Sequence, residues 1–230
     1  MENMANRIDN WGAALPKEYR SDSLGDIKQL GIKKLFRGII LAPSNSGKTN
    51  MVFHLVKNSP NVYSHLHIVA RNPDQELYNY MKDKLAGYIT IYDPSEPPRV
   101  DDIQKDPRGG IQLVIIDDYS SDKKLQHDVF SHFFIRGRHK RLSTLFLTHS
   151  WFATDKLIRL NSEYLWILKA NSKRDLKMVI ADFSLPGVTF ERLIRAYNEA
   201  TKEKGQALMI DNVRSILRFN FNENPINFGD

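Results

Sequence analysis

At 230 residues with 41% hydrophobic content, the chain is long enough for one generous domain with a full core. A formal net charge of +6 favours a polyanionic partner only weakly, because 26% charged residues is ordinary. The absence of Cys excludes a disulfide framework and thiolate zinc ligation. No run is long enough for a membrane helix and no signal peptide opens the chain, so a soluble intracellular protein without a membrane-spanning segment is expected.

Residues 1–35 are polar and weakly periodic, with Trp11, Pro16 and Gly25 scattered through them. They read as an N-terminal arm lying on the core or on a neighbouring subunit, ahead of a single domain over 36–230. From 36 on, apolar runs at 36–41, 65–70, 88–92, 111–116, 143–148 and 164–169 alternate with helical patterns at 47–57, 74–85, 122–136, 154–160 and 175–181. That alternation predicts an α/β domain with a mainly parallel central sheet flanked by helices. The runs at 113–116 and 145–147 are apolar on both faces, as buried central strands are. Pro97, Pro98 and the Gly109-Gly110 pair mark a surface excursion. A further helix over roughly 188–203 precedes alternating segments at 207–211 and 215–221, which read as a C-terminal β-hairpin added to the sheet.

The Gly38–Leu41 run feeds directly into Ala42, Pro43, Ser44, Asn45, Ser46, Gly47, Lys48 and Thr49. This is the strand, tight loop and helix start of a phosphate-binding loop, with Ala42 where the pattern has Gly. In such a loop the backbone N–H groups converge on phosphates at the positive end of the following helix, so Ser44 through Thr49 are the nucleotide-binding candidates. Lys48 would reach the β- and γ-phosphates, and the Thr49 hydroxyl would ligate Mg²⁺. Alanine is tolerated at position 42 provided that the position does not need positive φ.

The apolar run 113–116 ends in Asp117 and Asp118. A buried strand delivers such residues to the carboxyl edge of the sheet, beside the loop. Asp117 then suits the Mg²⁺ shell and Asp118 the polarisation of an attacking water, against the plainer alternative of helix capping. The run 143–147 ends in Thr148 and His149, candidates for sensing the γ-phosphate, again against simple capping of the next helix. Between these strands lie Arg136, Arg138, His139, Lys140 and Arg141, five basic side chains in six residues. A solvated basic loop is one reading; an arginine finger entering a neighbour's site, with Arg138 favoured over Arg136, is the sharper one. Arg136, Arg141 and Arg159 are also candidates for nucleic-acid phosphate or intersubunit contact. His65 and His67 share a strand face but lack a third ligand of obvious spacing, and Phe219, Phe221 and Phe228 read as hairpin packing rather than base-stacking groups.

Taken together, Gly38–Thr49, Val114–Asp118, Gly137-Arg138-His139, Leu147–Phe152 and Lys156–Asn161 resemble the poxvirus-type genome-packaging ATPases of large DNA viruses, virophages and related elements, within the FtsK–HerA superfamily. The resemblance covers roughly residues 36–182 and implies a RecA/ASCE-like P-loop NTPase. It implies a motor that hydrolyses ATP with Mg²⁺, assembles as a homo-oligomeric ring (a pentamer or hexamer) and drives double-stranded DNA into a capsid. Capsid proteins would be further partners, and the host-cell site of virus assembly and the virion the locations. The resemblance also implies that strand 143–148 lies between the two motif strands, with His149 near both Lys48 and Asp117. Two letters depart from the family: Ala42 replaces Gly, and His149 stands where Gln is typical. Arg138 is carried over through Gly-Arg-His, and Arg159, through Ile-Arg-x-Asn, with a structural or intersubunit role. The competing expectations are a cellular or plasmid FtsK–HerA-like translocase, a P-loop nucleotide kinase, and a non-catalytic scaffold.

Overall fold

The computed structural model describes residues 15–16, 24–169, 172–183 and 185–227, so that Trp11 and Phe228 lie outside the described residues. In chain order the elements are β1 (Asp26–Ile27), β2 (Ile32–Lys33), β3 (Arg37–Leu41), α1 (Lys48–Lys57), β4 (Tyr63–Ala70), α2 (Glu76–Lys84), β5 (Ile89–Ile91) and β6 (Ile111–Asp117). There follow α3 (Lys123–Leu125), a π-helical turn (Gln126–Phe130), α4 (Ser131–Arg136), a 3-10 turn (Gly137–Lys140), β7 (Leu142–Thr148), α5 (Lys156–Leu160) and β8 (Tyr164–Leu168). The chain ends in α6 (Lys173–Asp182), α7 (Phe190–Ala200), β9 (Ala207–Asp211) and β10 (Ile216–Phe219).

Eight strands form one sheet in the order β10-β9-β8-β3-β7-β6-β4-β5. The six from β8 to β5 run parallel, and β9 and β10 add the expected antiparallel hairpin at the β8 edge. As the resemblance implies, β7 lies between β3 and β6. This is the mainly parallel, helix-flanked sheet that the alternation of runs predicts.

Period-two alternation sends each strand's side chains to two separate cores. On one face Ile40, Leu145, Leu147 and Ile115 pack against Met51, Val52 and Leu55 of α1 and Tyr78 and Met81 of α2. On the other, Ile39, Phe146 and Ile116 pack against Phe130, Phe133 and Phe134 and against Leu193 and Tyr197 of α7. Burial on both faces explains why the central strands carry unbroken apolar runs. Gly38 is required inside β3, because a Cβ there would lie 2.8 Å from the Trp166 ring.

The stretch 24–35 lies on the core. Its two short strands pair as a hairpin, and Ile27, Leu30, Ile32 and Phe36 are buried in the α1–α2 core. Arg218 of β10 pins this hairpin. It pairs with Asp211 at 2.9 Å and donates to the carbonyls of Leu30 (3.0 Å), Gly31 (2.9 Å) and Phe221 (3.0 Å). A guanidinium so enclosed has its charge and its donors satisfied inside the fold.

Candidate active site

Parallel β3, β7 and β6 bring the ends of three motif strands to one edge of the sheet. Leu41 is in register with Thr148, and Asp117 with Leu147. The Ala42 N–H continues the ladder by donating to Thr148 O at 3.0 Å. The loop then turns through Asn45 (φ 58°) and Gly47 (φ 97°) into α1. No acidic residue occupies the first turn of α1, so its positive end is not neutralised by its own sequence. Ala42 is buried and is not among the described residues with positive φ, which removes the need for Gly there.

Lys48 is buried and uses its three donors on Ala42 O, Pro43 O and His149 Nδ1, each at 3.0 Å. Burial lowers its pKa, opposed by the charges of Asp117 and Asp118. Because Nδ1 of His149 accepts from an ammonium, the ring proton belongs on Nε2, which donates to Asp118 Oδ1 at 2.8 Å. Lys48, His149 and Asp118 therefore form one hydrogen-bonded chain. Asp118 leaves β6 in the left-handed region (φ 65°), while Asp117 remains buried at the strand's end.

A second set joins Thr49 to Asp117. Thr49 Oγ1 donates to Gln75 Oε1 at 2.9 Å, and Gln75 Nε2 donates to Asp117 Oδ2 at 3.2 Å. Tyr78 Oη donates to the same carboxylate oxygen at 2.9 Å. Burial raises the Asp117 pKa, against hydrogen bonds from Tyr78 and Gln75 and the charge of Lys48. A hydroxyl and a buried carboxylate, bridged by one side chain, are hard oxygen donors of the kind Mg²⁺ takes together with water. The residues present fit that ion.

Beside the loop, on the β8–β9 side and away from Asp117, opens a cleft of about 420 Å³. Ser44, Asn45 and Ser46 form one wall, and Lys169, Lys202 and Lys204 line the other.

No family model and no curated protein matches the sequence. Among solved structures, the genome packaging NTPase B204 from Sulfolobus turreted icosahedral virus 2, in complex with AMP, matches with a TM-score of 0.61 at 12% identity, covering 85% of this chain and 100% of that one. The chain shares the P-loop NTPase fold of that protein. B204 in complex with ATP-gammaS matches at TM-score 0.58 and 14% identity, with 85% of this chain and 100% of that chain covered. EssC (ATPases 2 and 3) from Geobacillus thermodenitrificans matches at TM-score 0.53 and 8% identity, over 76% of this chain and 37% of that one.

Within this B204-like fold, several residues stand apart from where the sequence put them. His149 meets Lys48 as expected, but its other nitrogen meets Asp118, because Asp117 is taken up by Tyr78 and Gln75. Thr148 is turned away: it shares strand parity with Phe146 in the opposite core, and its hydroxyl lies 2.9 Å from Thr154 Oγ1 and 3.1 Å from Ser150 O. The next helix is capped instead by Asp155, whose carboxylate accepts from Leu157 N at 2.7 Å. Arg159 is buried, with Asp182 at 3.3 Å and the Trp151 ring 5.6 Å from its guanidinium carbon. Its charge is paired inside the subunit. Arg136 pairs with Asp101 at 3.3 Å and Arg141 donates to Gly109 O, both at the surface excursion. Arg138 is exposed and borders a cavity of about 200 Å³ with Lys33, Arg37 and Glu163, at the amino ends of β3, β7 and β8. It is thus at the opposite edge from its own loop. His65 and His67 bond Thr90, Tyr92 and Gln112, and Phe221 packs on Trp166 and His54. Gln75 and Tyr78 were not found by sequence reasoning. Their spacing of three at the start of a helix was the sole available signal, and any helix offers such pairs.

Proposed function

We propose that this protein is an ATP-hydrolysing motor that moves double-stranded DNA into a viral capsid as a homo-oligomeric ring. The observation that carries the reading is the pair of linked side-chain sets around one loop: Lys48–His149–Asp118 and Thr49–Gln75–Asp117. Backbone N–H groups of Ser44 to Thr49 and the positive end of α1 hold the phosphates. Lys48 exchanges its two carbonyl acceptors for phosphate oxygens. Thr49 and Asp117 hold Mg²⁺, which supplies charge neutralisation of the transferring phosphoryl group. With Lys48 turned to phosphate, His149 is released at Nδ1 while Nε2–H still orients Asp118. Asp118, exposed at the edge, accepts a proton from the attacking water. These groups lie on the β7–β6 side, so ribose and base leave toward the cleft at Lys169, Lys202 and Lys204.

Arg138 reaches a nucleotide only in a neighbouring subunit, given its place at the far edge. A homo-oligomeric ring would supply that neighbour. The likeness to a packaging NTPase of an icosahedral virus supports the DNA, the capsid partner and a location at the site of virus assembly and in the virion.

The test is ATP hydrolysis across protein concentrations that span assembly, with and without duplex DNA. Turnover per subunit is expected to rise with both. Arg138→Ala is expected to bind nucleotide and lose turnover; retention of the full DNA-stimulated rate would show that the finger is elsewhere. A rate indifferent to DNA and concentration, with phosphate passed to a nucleoside monophosphate, would replace the motor by a kinase.

A further inference from the structure

The turn after β7 carries a second cluster, outside the nucleotide site. Phe152, three residues beyond His149, is 52% exposed. The guanidinium carbon of Arg174 lies 3.9 Å from its ring centroid and Lys123 Nζ lies 5.8 Å from it. Lys123 is held there by Ala153 O at 2.8 Å. Lys124 and Lys173, adjacent in sequence to these two cations, are exposed. Among the described residues none of these four cations makes an ion pair with a carboxylate within 4.0 Å.

The nearby acids are engaged elsewhere. Asp122 is held by Arg71 at 3.0 Å and caps Leu125 N at 3.0 Å. Asp175 is buried and accepts from Ser150 Oγ (3.2 Å) and Phe152 N (3.1 Å). The surface therefore presents, among the described residues, four cations without a direct carboxylate partner around an aromatic ring. A guanidinium stacked on a ring is fixed in orientation, yet its in-plane N–H groups stay free for phosphate oxygens.

This surface is tied to the nucleotide site. Asp175 grips the turn that begins at His149. Gln126, in the π-helical turn, donates to Tyr119 O (3.1 Å), Ser120 O (2.9 Å) and Ala153 O (3.2 Å), and accepts from Asp155 N (2.7 Å). The segments following Asp118 and His149 are thereby fastened to each other and to Phe152.

We propose that Phe152, Arg174 and Lys123 are the contact surface for the phosphodiester backbone of duplex DNA, and that the turn from His149 to Ala153 transmits the nucleotide state to it. The proposal rests on the motor reading. Contact of this kind grips phosphates without reading bases.

The test is binding of a fluorescent mixed-sequence duplex to the full chain over a salt series, together with ATPase rates. Arg174→Glu is expected to weaken duplex binding at least ~10-fold, to reduce the slope of log affinity against log salt by about one to two, and to leave the DNA-free rate unchanged. Phe152→Ala is expected to weaken binding less and to lower DNA stimulation. If the wild type binds duplex and Arg174→Glu binds it equally, the surface is misassigned while the motor reading stands. If the wild type neither binds duplex nor responds to it, the motor reading fails first and the inference with it. If Arg174→Glu loses ring assembly and the DNA-free rate together, the surface faces a neighbouring subunit and the DNA assignment is overturned.

Discussion

Lys48 and Arg218 are both buried cations, and they are held in opposite ways. Arg218 has a carboxylate against it, Asp211 at 2.9 Å, and carbonyls from both ends of the fold around it. Lys48 has two carbonyls of its own loop and an imidazole, while Asp117 and Asp118 act on it only through space. Burial consequently lowers the Lys48 pKa, and nothing ionic touches the ammonium to cancel its charge. A cation that pins a fold is neutralised inside it. Under the proposed function, Lys48 is instead lodged among dipoles that it can leave for an anionic ligand.

The sharpest way to break this contrast is at Arg218. Arg218→Met strips Asp211 of its closest counter-ion, leaving only Arg214 at 3.8 Å, and should cost about 3–5 kcal/mol in unfolding free energy, read by denaturant titration. Adding Asp211→Leu to it should recover part of the loss, because the stranded charge is gone. Lys48→Met should do the reverse. Removing a desolvated charge should leave unfolding free energy within about 1 kcal/mol of the wild type, while ATP turnover falls at least ~100-fold in a phosphate-release assay. A large stability loss at Lys48 would erase the distinction. The smallest effect is expected at Ala42, whose carbonyl is one of the Lys48 acceptors. Ala42→Gly removes a buried methyl at a position that does not use positive φ, so it should destabilise by ~1 kcal/mol without tightening nucleotide binding in a calorimetric titration.

The central strands were legible because burial on both faces leaves an unbroken apolar signature, and the loop from Ala42 to Thr49 because close phosphate approach demands a particular spacing. The position of β7 between β3 and β6 came from the resemblance, and no local pattern contains it. The β1–β2 hairpin was not legible, since two-residue strands carry no periodicity and Ile27, Leu30 and Ile32 sit among polar letters. Gln75 and Tyr78 were hidden for a different reason. Their partner, Asp117, lies 42 and 39 positions away, and only the sheet brings them together. Thr148 was misread because alternation along β7 points it into the other core, a fact of parity that a motif match ignores.

Arg218 and Gly31 touch across 187 positions of sequence. During synthesis Ile27, Leu30 and Ile32 leave the ribosome long before β10 exists to hold them. Contacts of such span come late in folding, since the intervening chain must first be ordered. The nascent protein therefore carries an early apolar segment that waits for nearly the whole sheet to be made. In that interval it is a natural site for chaperone attachment or for mispairing between chains.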